Sequence, residues 1–293
     1  MKKGQSNRHI LPGFGLTLGT TLLYLSIMVL VPLLMLVITA SSLSFEKIIS
    51  IISSPRAVAA YKLSFGAAFV AACVNAVFGS LLAWVLVRYR FFGRKIIDAL
   101  IDLPFALPTA VAGITLVTLF RVPDDPNAIT FFRGGIGKFI LDTFGVQVAP
   151  GAIGVVVALI FIGIPFVVRT LQPVLADLEP ELEEVAACMG ASRFQIFRKV
   201  IFPALLPSLF TGFSLAFARA LGEYGSVVFI AGNMPFKTEI LPLLIMINLE
   251  EPNGNVNAAV LALVMLCASF IVMLAVNLLG LWAGRRASKK HRE

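Results

Sequence analysis

The chain has 293 residues, of which 58% are hydrophobic and only 14% are charged, and its formal net charge is +8 at pH 7. Soluble domains carry about 25% charged residues, so this composition, with a mean hydropathy of +0.93, excludes an ordinary soluble fold and indicates an integral membrane protein. The positive charge does not indicate a nucleic-acid partner, because the basic residues lie in short connections between apolar segments, where they orient the chain and contact anionic membrane lipids.

Six apolar segments are long enough to cross a membrane, which requires about 20 mostly apolar residues. They are 14–41, 63–87, 98–120, 151–176, 205–231 and 257–284. The first, at roughly 25 residues, is longer than the apolar part of a signal peptide, so we expect it to be a retained span. The segments predict an all-α integral membrane bundle of six transmembrane helices.

The expected divisions of the chain follow these segments. Residues 1–59 contain a cytoplasmic tail, the first span and an amphipathic stretch that we expect to lie at the outer membrane surface. Residues 60–282 form the transmembrane core, and residues 283–293 form a basic cytoplasmic tail. Within the core, the long outer loop 121–150 contains a short apolar stretch near 136–144 that suggests an interfacial helix.

The third apolar segment begins with two prolines four residues apart, Pro104 and Pro108. Such irregularity is tolerated in a membrane only where protein or a water-filled cavity satisfies the freed backbone groups. The simpler interpretation is a kinked helix, and the alternative is a broken helix that lines a transport pathway, with the Thr109 hydroxyl available as a donor. Asp102 is expected to be an interfacial charge or the ion-pair partner of a nearby basic residue.

The stretch 184–203, EVAACMGASRFQIFRKVIFP, is a polar, helix-prone block between the fourth and fifth apolar segments. Gly190 is a poor helix residue, so we expect a bend between two short helices that face a soluble partner. Small residues allow that partner to approach closely, and Arg193 follows the bend. The small residues are Ala186, Ala187, Gly190 and Ala191. Pro203 is expected to begin the next apolar helix.

Ionisable residues within apolar segments are costly and are functional candidates by default. Arg169, late in the fourth segment, is expected to extend toward the cytoplasmic headgroups. Arg219 and Glu223 in the fifth segment are four residues apart, hence on one helix face and able to pair. Two interpretations stay open: a pair that fixes the packing of the bundle, and a pair that lines the transport path, with Arg219 attracting an anion or Glu223 gating it.

The distribution of basic residues predicts the orientation of the chain. Fifteen of the 24 Lys and Arg residues lie in the two tails, in the connection after the second segment and in the loop 177–204, whereas seven lie in the alternating connections. An excess of Lys and Arg marks the cytoplasmic side of a membrane protein. Both termini and the loop 177–204 are therefore expected in the cytoplasm.

The sequence contains no phosphate-binding loop, no catalytic triad and no metal-ligand spacing. We therefore expect a transport subunit rather than an enzyme, with no catalytic residues, metal or cofactor of its own. If the protein pumps a solute, the energy has to come from another subunit that binds ATP.

The 184–203 stretch resembles the EAA loop of ABC-importer permeases. The family pattern is E-A-A-x3-G-x9-I-x-L-P, and Glu184, Gly190 and Pro203 stand in register with it, while Val185, Val200 and Phe202 are apolar exchanges. The resemblance implies that this segment docks into a cytoplasmic ATPase subunit. The residues assigned to this coupling are Glu184, Ala186, Ala187, Gly190, Ala191, Ser192, Arg193 and Pro203.

Three further stretches are similar to the T-type subunit of the sulfate/thiosulfate permeases, a family related to the molybdate permeases. They are DLPFALPTAVAGITL (102–116), FIGIPFVVRTLQPVLADLEPELEE (161–184) and FARALGEYGSVVFIAGNMPFKTEI (217–240). The resemblance implies a type I ABC-importer transmembrane domain in the bacterial inner membrane. It also implies three partners: a cytoplasmic ATPase dimer, a second homologous permease and a periplasmic sulfate-binding protein.

Two other functions stay open at this stage. The chain could be a molybdate or tungstate permease of the same architecture, or an ion-coupled secondary transporter. The second alternative would require intramembrane acids for coupling, and Glu223, already able to pair with Arg219, is thin support for it. The candidate pathway residues are Arg219, Glu223, Thr109, Pro104 and Pro108.

Overall fold

A computed structural model describes residues 13–123, 135–252 and 254–290, with side chains described up to residue 282. We number the helices of these ranges in chain order. They are α1 Phe14–Ser41, α2 Phe45–Ile52, α3 Pro55–Arg88, α4 Arg94–Ile101, α5 Leu103–Ala106, α6 Thr109–Phe120, α7 Gly135–Phe144, α8 Ala152–Asp177, α9 Pro180–Cys188, α10 Arg193–Leu221, α11 Val227–Ile230, α12 Leu241–Glu250 and α13 Asn255–Lys290.

Five helices in the described part of the chain are long and apolar enough to cross a membrane. They are α1, α3, α8, α10 and α13. With the interrupted third segment they form an all-α integral membrane bundle, as predicted from the apolar segments. The boundary expected at residue 60 falls inside α3, and the last helix continues through 283–290, into the predicted tail.

The third predicted segment, 98–120, is not one continuous helix. It divides into α4, α5 and α6, and the chain is extended at Leu107 and Pro108, where ψ is 138° and 132°. Pro104 lies in the first turn of α5 and Pro108 caps α6, positions at which the missing proline N–H costs nothing. Of the two interpretations of these prolines, the broken helix is the one observed.

The fifth predicted segment, 205–231, ends earlier than expected. The helix α10 stops at Leu221, an irregular stretch leads to the single turn of α11, and a second apolar helix, α12, follows. The sequence analysis did not predict α12. Its ten residues are too few to cross a membrane, so a search for segments of about 20 residues passed over it.

Pro203 is the second residue of the regular α-helical part of α10, Phe202–Leu221, as expected for the start of the apolar helix, but the helix as a whole begins earlier. The helix α10 starts at Arg193, and Pro203 lies within it. Residues 197–201 form a π-helical turn in which the Phe202 N–H binds the Phe197 carbonyl, five residues back. This wider turn stands directly before the proline, where the regular helical hydrogen bond is missing.

The helices α3, α8 and α10 form the centre of the bundle. Small residues line the buried face of α3 and let the three helices approach closely. They are Ala60, Ala67, Ala68, Ala71, Ala72 and Ala83. The helix α13 packs against α10 and α12, and α1 packs against α13.

Both short stretches singled out in the connections are helical. The amphipathic stretch after the first span forms α2, and the apolar stretch near 136–144 forms α7. Gly137 of α7 lies against the end of α6, where an added Cβ would come within 1.9 Å of the Phe120 carbonyl oxygen. The first part of the predicted outer loop, 124–134, lies outside the described residues.

Candidate functional site

The 184–203 stretch forms two short helical pieces joined by a bend, as predicted. The helix α9 ends at Cys188, and Gly190 adopts a φ of +82°, a left-handed conformation that favours glycine. Ser192 then caps α10: its Oγ accepts a hydrogen bond from the Gln195 N–H at 3.3 Å, and Gln195 Oε1 accepts one from the Ser192 N–H at 2.8 Å. This capping box fixes the direction in which α10 leaves the bend.

The bend presents apolar side chains to its surroundings. Met189 is 83% exposed, and Val185 and Phe194 are also more than half exposed. Glu184 and Arg193 are exposed beside them, so the patch has a polar rim. Exposed apolar residues surrounded by polar ones are typical of a surface that binds another protein.

The loop is attached to the end of α3 through two contacts that the sequence analysis missed. Arg88, the last residue of α3, forms an ion pair with Glu183 of α9. The Arg88 guanidinium also lies over the Trp84 ring, 5.5 Å from its centroid, and Trp84 meets Phe197 edge to face at 6.0 Å. The sequence analysis treated Arg88 only as an orienting charge, because its partner is 95 residues away.

The two interrupted regions of the bundle pack against each other. A Cβ added to Gly113 of α6 would lie 2.4 Å from the Ser226 carbonyl oxygen, and one added to Gly225 would lie 2.3 Å from Thr109 Oγ1. The first two turns of α6 therefore pack closely against the 222–226 stretch, at Gly113 backbone to backbone and at Gly225 through the Thr109 side chain. This places Thr109 and Pro108, which caps α6, beside the stretch that contains Glu223.

Arg219 and Glu223 form the predicted pair, with Arg219 Nη1 2.8 Å from Glu223 Oε2. Glu223 lies beyond the end of α10, so the two residues do not share a helix face in the way the prediction assumed. The other carboxylate oxygen accepts hydrogen bonds from the Ser226 N–H at 3.0 Å and the Ser226 hydroxyl at 3.1 Å. Glu223 is buried and both of its oxygens are engaged, whereas Arg219 is partly exposed.

Pro104 lies in a different environment from the other candidate pathway residues. It belongs to α5, which packs against α8 through an edge-to-face contact between Phe105 and Phe166, with ring centroids 5.2 Å apart. The structure therefore brings Thr109, Arg219 and Glu223 into one region and leaves Pro104 in another.

Arg169 is bound by two carboxylates, partners that the prediction of an arginine extending toward the headgroups did not include. Its Nε and Nη2 donate to the two carboxylate oxygens of Asp102 at 2.8 and 2.6 Å, and its Nη1 donates to Asp98 at 2.7 Å. Gln172 joins the network by donating to Asp98 at 2.9 Å. Asp102 is thus an ion-pair partner, one of its two expected roles.

A second bidentate pair lies at the start of α3, at the end opposite to Arg88. Arg56 Nε and Nη2 donate to the two oxygens of Glu239 at 2.8 and 2.6 Å, and the Glu239 side chain is almost completely buried. The pair connects the start of α3 to the segment that leads into α12. A lone glutamate directly before the apolar run of α12 is a signal in the sequence that could have marked this position.

The fold and the site define the transmembrane permease subunit of an ABC importer of type I. The family model described as "binding-protein-dependent transport system inner membrane component" matches residues 75–289. The chain belongs to this family, and it is a multi-pass protein of the inner membrane.

Similar proteins agree with this assignment. The chain is 48% identical to a protein of Salmonella typhimurium named "sulfate transport system permease protein CysT", over 96% of this chain and 97% of the relative. It is 47% identical to the Escherichia coli protein of the same name, over the same shares of each chain. A bacterial alginate ABC transporter solved in complex with a pentasaccharide-bound periplasmic protein has the same fold, with a TM-score of 0.68, 16% identity and coverage of 93% and 94%.

Proposed function

We propose that this chain is one half of the membrane permease of an ATP-driven sulfate importer. High identity to relatives named as sulfate permeases, over nearly their whole length, supports the substrate. The exposed bend at 184–203 supports the coupling to a separate ATPase, and it is the observation on which the proposal mainly depends. A second, homologous permease and a periplasmic sulfate-binding protein complete the proposed assembly.

The bend transmits movement of the ATPase to the bundle. The patch of Val185, Met189 and Phe194 docks into the ATPase, with Glu184 and Arg193 at its rim. Force then reaches α10 directly, because Ser192 caps this helix, and reaches α3 through the Arg88–Glu183 pair. ATP binding moves the loops of the two permeases together, and the helices rock between inward-open and outward-open arrangements.

The region around Thr109, Arg219 and Glu223 is the proposed pathway. Sulfate is a dianion, so an unpaired arginine in the membrane would hold it too firmly for release. Here the charge of Arg219 is offset by Glu223, at a distance of 2.8 Å. Because Glu223 neutralises the charge of Arg219, this arginine and the Thr109 hydroxyl form a site that binds sulfate only weakly. Weak binding allows the anion to be released during transport.

The proposal is tested by ATP-driven sulfate uptake into proteoliposomes that contain the two permeases, the ATPase and the binding protein. We expect Gly190→Val to reduce uptake at least tenfold, because a β-branched residue at a φ of +82° distorts the bend. We expect Glu184→Lys to have a similar effect, because it reverses a charge at the rim of the docking patch. Membrane levels of both variants should stay unchanged.

The matched controls are Gly66→Val and Glu181→Lys. Gly66 lies in α3 with open space around its Cβ position, and Glu181 is an exposed acid at the start of α9. Both should retain most of the uptake. Exposed Cys188 supplies a direct measure of docking, since a thiol cross-linker should join it to the ATPase. Normal uptake by Gly190→Val would contradict the proposed coupling role of the bend. Uptake of molybdate in place of sulfate would contradict the proposed substrate.

A further inference from the structure

The connection between α3 and α4 exposes an apolar surface. Phe92 lies in the tight turn after α3 and is fully exposed, and Ile96 and Leu100 of α4 are more than half exposed. On a helix, positions 96 and 100 lie on one face, whereas Asp98 points to the other side and binds Arg169 of α8. The polar face of α4 is thus turned toward the bundle and its apolar face away from it.

The same connection carries positive charge that the described part of the protein does not neutralise. Arg90, Arg94 and Lys95 form no ion pair with any described residue. The nearest acids, Asp98 and Asp102, are both bound by Arg169, and that network carries one net negative charge. Together with Arg169, the segment 89–102 therefore carries an excess of two positive charges.

We infer that this segment, 89–100, is a binding site for an anionic phospholipid. Basic residues directly after a transmembrane helix attract anionic headgroups, and exposed aromatic and aliphatic side chains next to them insert into the acyl region. A free anion would explain the three basic residues but not Phe92, Ile96 and Leu100. The combination of both features on one short segment favours a lipid.

Native mass spectrometry of the purified full-length chain in detergent tests this site, with titration by phosphatidylglycerol or phosphatidylcholine. We expect the wild-type chain to retain phosphatidylglycerol preferentially. Each neutralised charge should reduce this retention about fivefold, which corresponds to the usual attraction of one basic residue to an anionic surface. The triple variant Arg90→Gln, Arg94→Gln, Lys95→Gln should therefore lose the preference, and Phe92→Ser should weaken it.

Two variants serve as controls. Lys47→Gln, Lys62→Gln, Lys138→Gln removes three exposed charges elsewhere and should retain phosphatidylglycerol like the wild type. Arg90→Lys with Arg94→Lys keeps the charge and should also retain it, which separates charge loss from misfolding.

Three outcomes would overturn the inference. The first is unchanged retention by the glutamine variant, and the second is displacement of the lipid by free glycerol phosphate. The third is dissociation of a dimer of this chain in the glutamine variant, which would mean that a second copy covers the segment. The assay uses the chain alone, so failure of the proposed sulfate transport would not affect it.

Discussion

At the scale of single residues, Asn75 is the most unusual side chain of the bundle. It is 1% exposed, near the middle of α3, and neither of its amide atoms has a hydrogen-bond partner. Its Nδ2 lies against Gly163 of α8, at 2.2 Å from where a Cβ would stand. A buried polar group without a partner costs about 1–3 kcal/mol, which makes this position sensitive to any change in its surroundings.

The contact between Asn75 and Gly163 leads to a prediction for a double-mutant cycle. Gly163→Ala alone should destabilise the protein by about 1–3 kcal/mol, because its methyl group collides with the amide. In an Asn75→Ala background the same change should be tolerated, since the next neighbour of the added Cβ is Ala216 at 3.6 Å. Thermal unfolding of the detergent-solubilised variants measures both effects. Equal destabilisation in the two backgrounds would contradict the described contact.

At the scale of elements, α6 packs closely against the 222–226 stretch, in the region of the proposed pathway. Gly113 lets the α6 backbone approach the Ser226 backbone, Gly225 leaves room for the Thr109 side chain, and Glu223 holds the turn by accepting two hydrogen bonds from Ser226. The break before α6 and the 222–226 stretch are both irregular, and they pack directly against each other. This is consistent with the requirement that irregular backbone within a membrane be covered by protein.

Enlarging a glycine at this meeting point should disturb the pathway. In Gly113→Ala the added Cβ would lie 2.4 Å from a backbone carbonyl oxygen, which cannot rotate away as a side chain would. We expect a loss of about 1–3 kcal/mol in stability and a reduced rate of uptake. Thermal unfolding and proteoliposome uptake measure the two effects. Gly66→Ala, where the added methyl meets open space, is the control and should leave both unchanged.

At the scale of the whole molecule, ion pairs connect distant parts of the chain to the ends of the central helices. Arg88 with Glu183 connects α3 to the exposed bend, and Arg56 with Glu239 connects the other end of α3 to the segment before α12. Arg169 joins α8 to the interrupted third segment. These contacts join the bend, the interrupted third segment and the segment before α12 to the central helices.

Charge exchange tests whether the Arg88–Glu183 pair carries movement from the bend to α3. Arg88→Glu and Glu183→Arg should each reduce ATP-driven uptake several-fold, because each places two like charges in contact. The double exchange should restore most of the uptake. Global stability should change by only about 1 kcal/mol, since partly exposed pairs contribute little to it. Full uptake by the single variants would show that the pair does not take part in coupling.

Much of the fold and of the candidate site was predictable from the sequence. The ends of α1 and α8 lie within one residue of the predicted segments, because a long apolar run has no alternative to a helix in lipid. The bend at Gly190 and the Arg219–Glu223 pair were predicted as well, since both depend on residues close in sequence. The partners of Arg169, Arg88 and Arg56 were not predicted, because a carboxylate 67 to 183 residues away leaves no local pattern.

By itself, the sequence determined that this protein is a helical membrane bundle with a bend at Gly190, because hydrophobic length and glycine placement act locally. Tertiary structure alone decided where the third and fifth segments break, which charges pair and which face of α4 is left open. Those outcomes depend on what stands opposite each residue: the turn at Glu223 forms against α6, and Asp98 turns inward because Arg169 lies there.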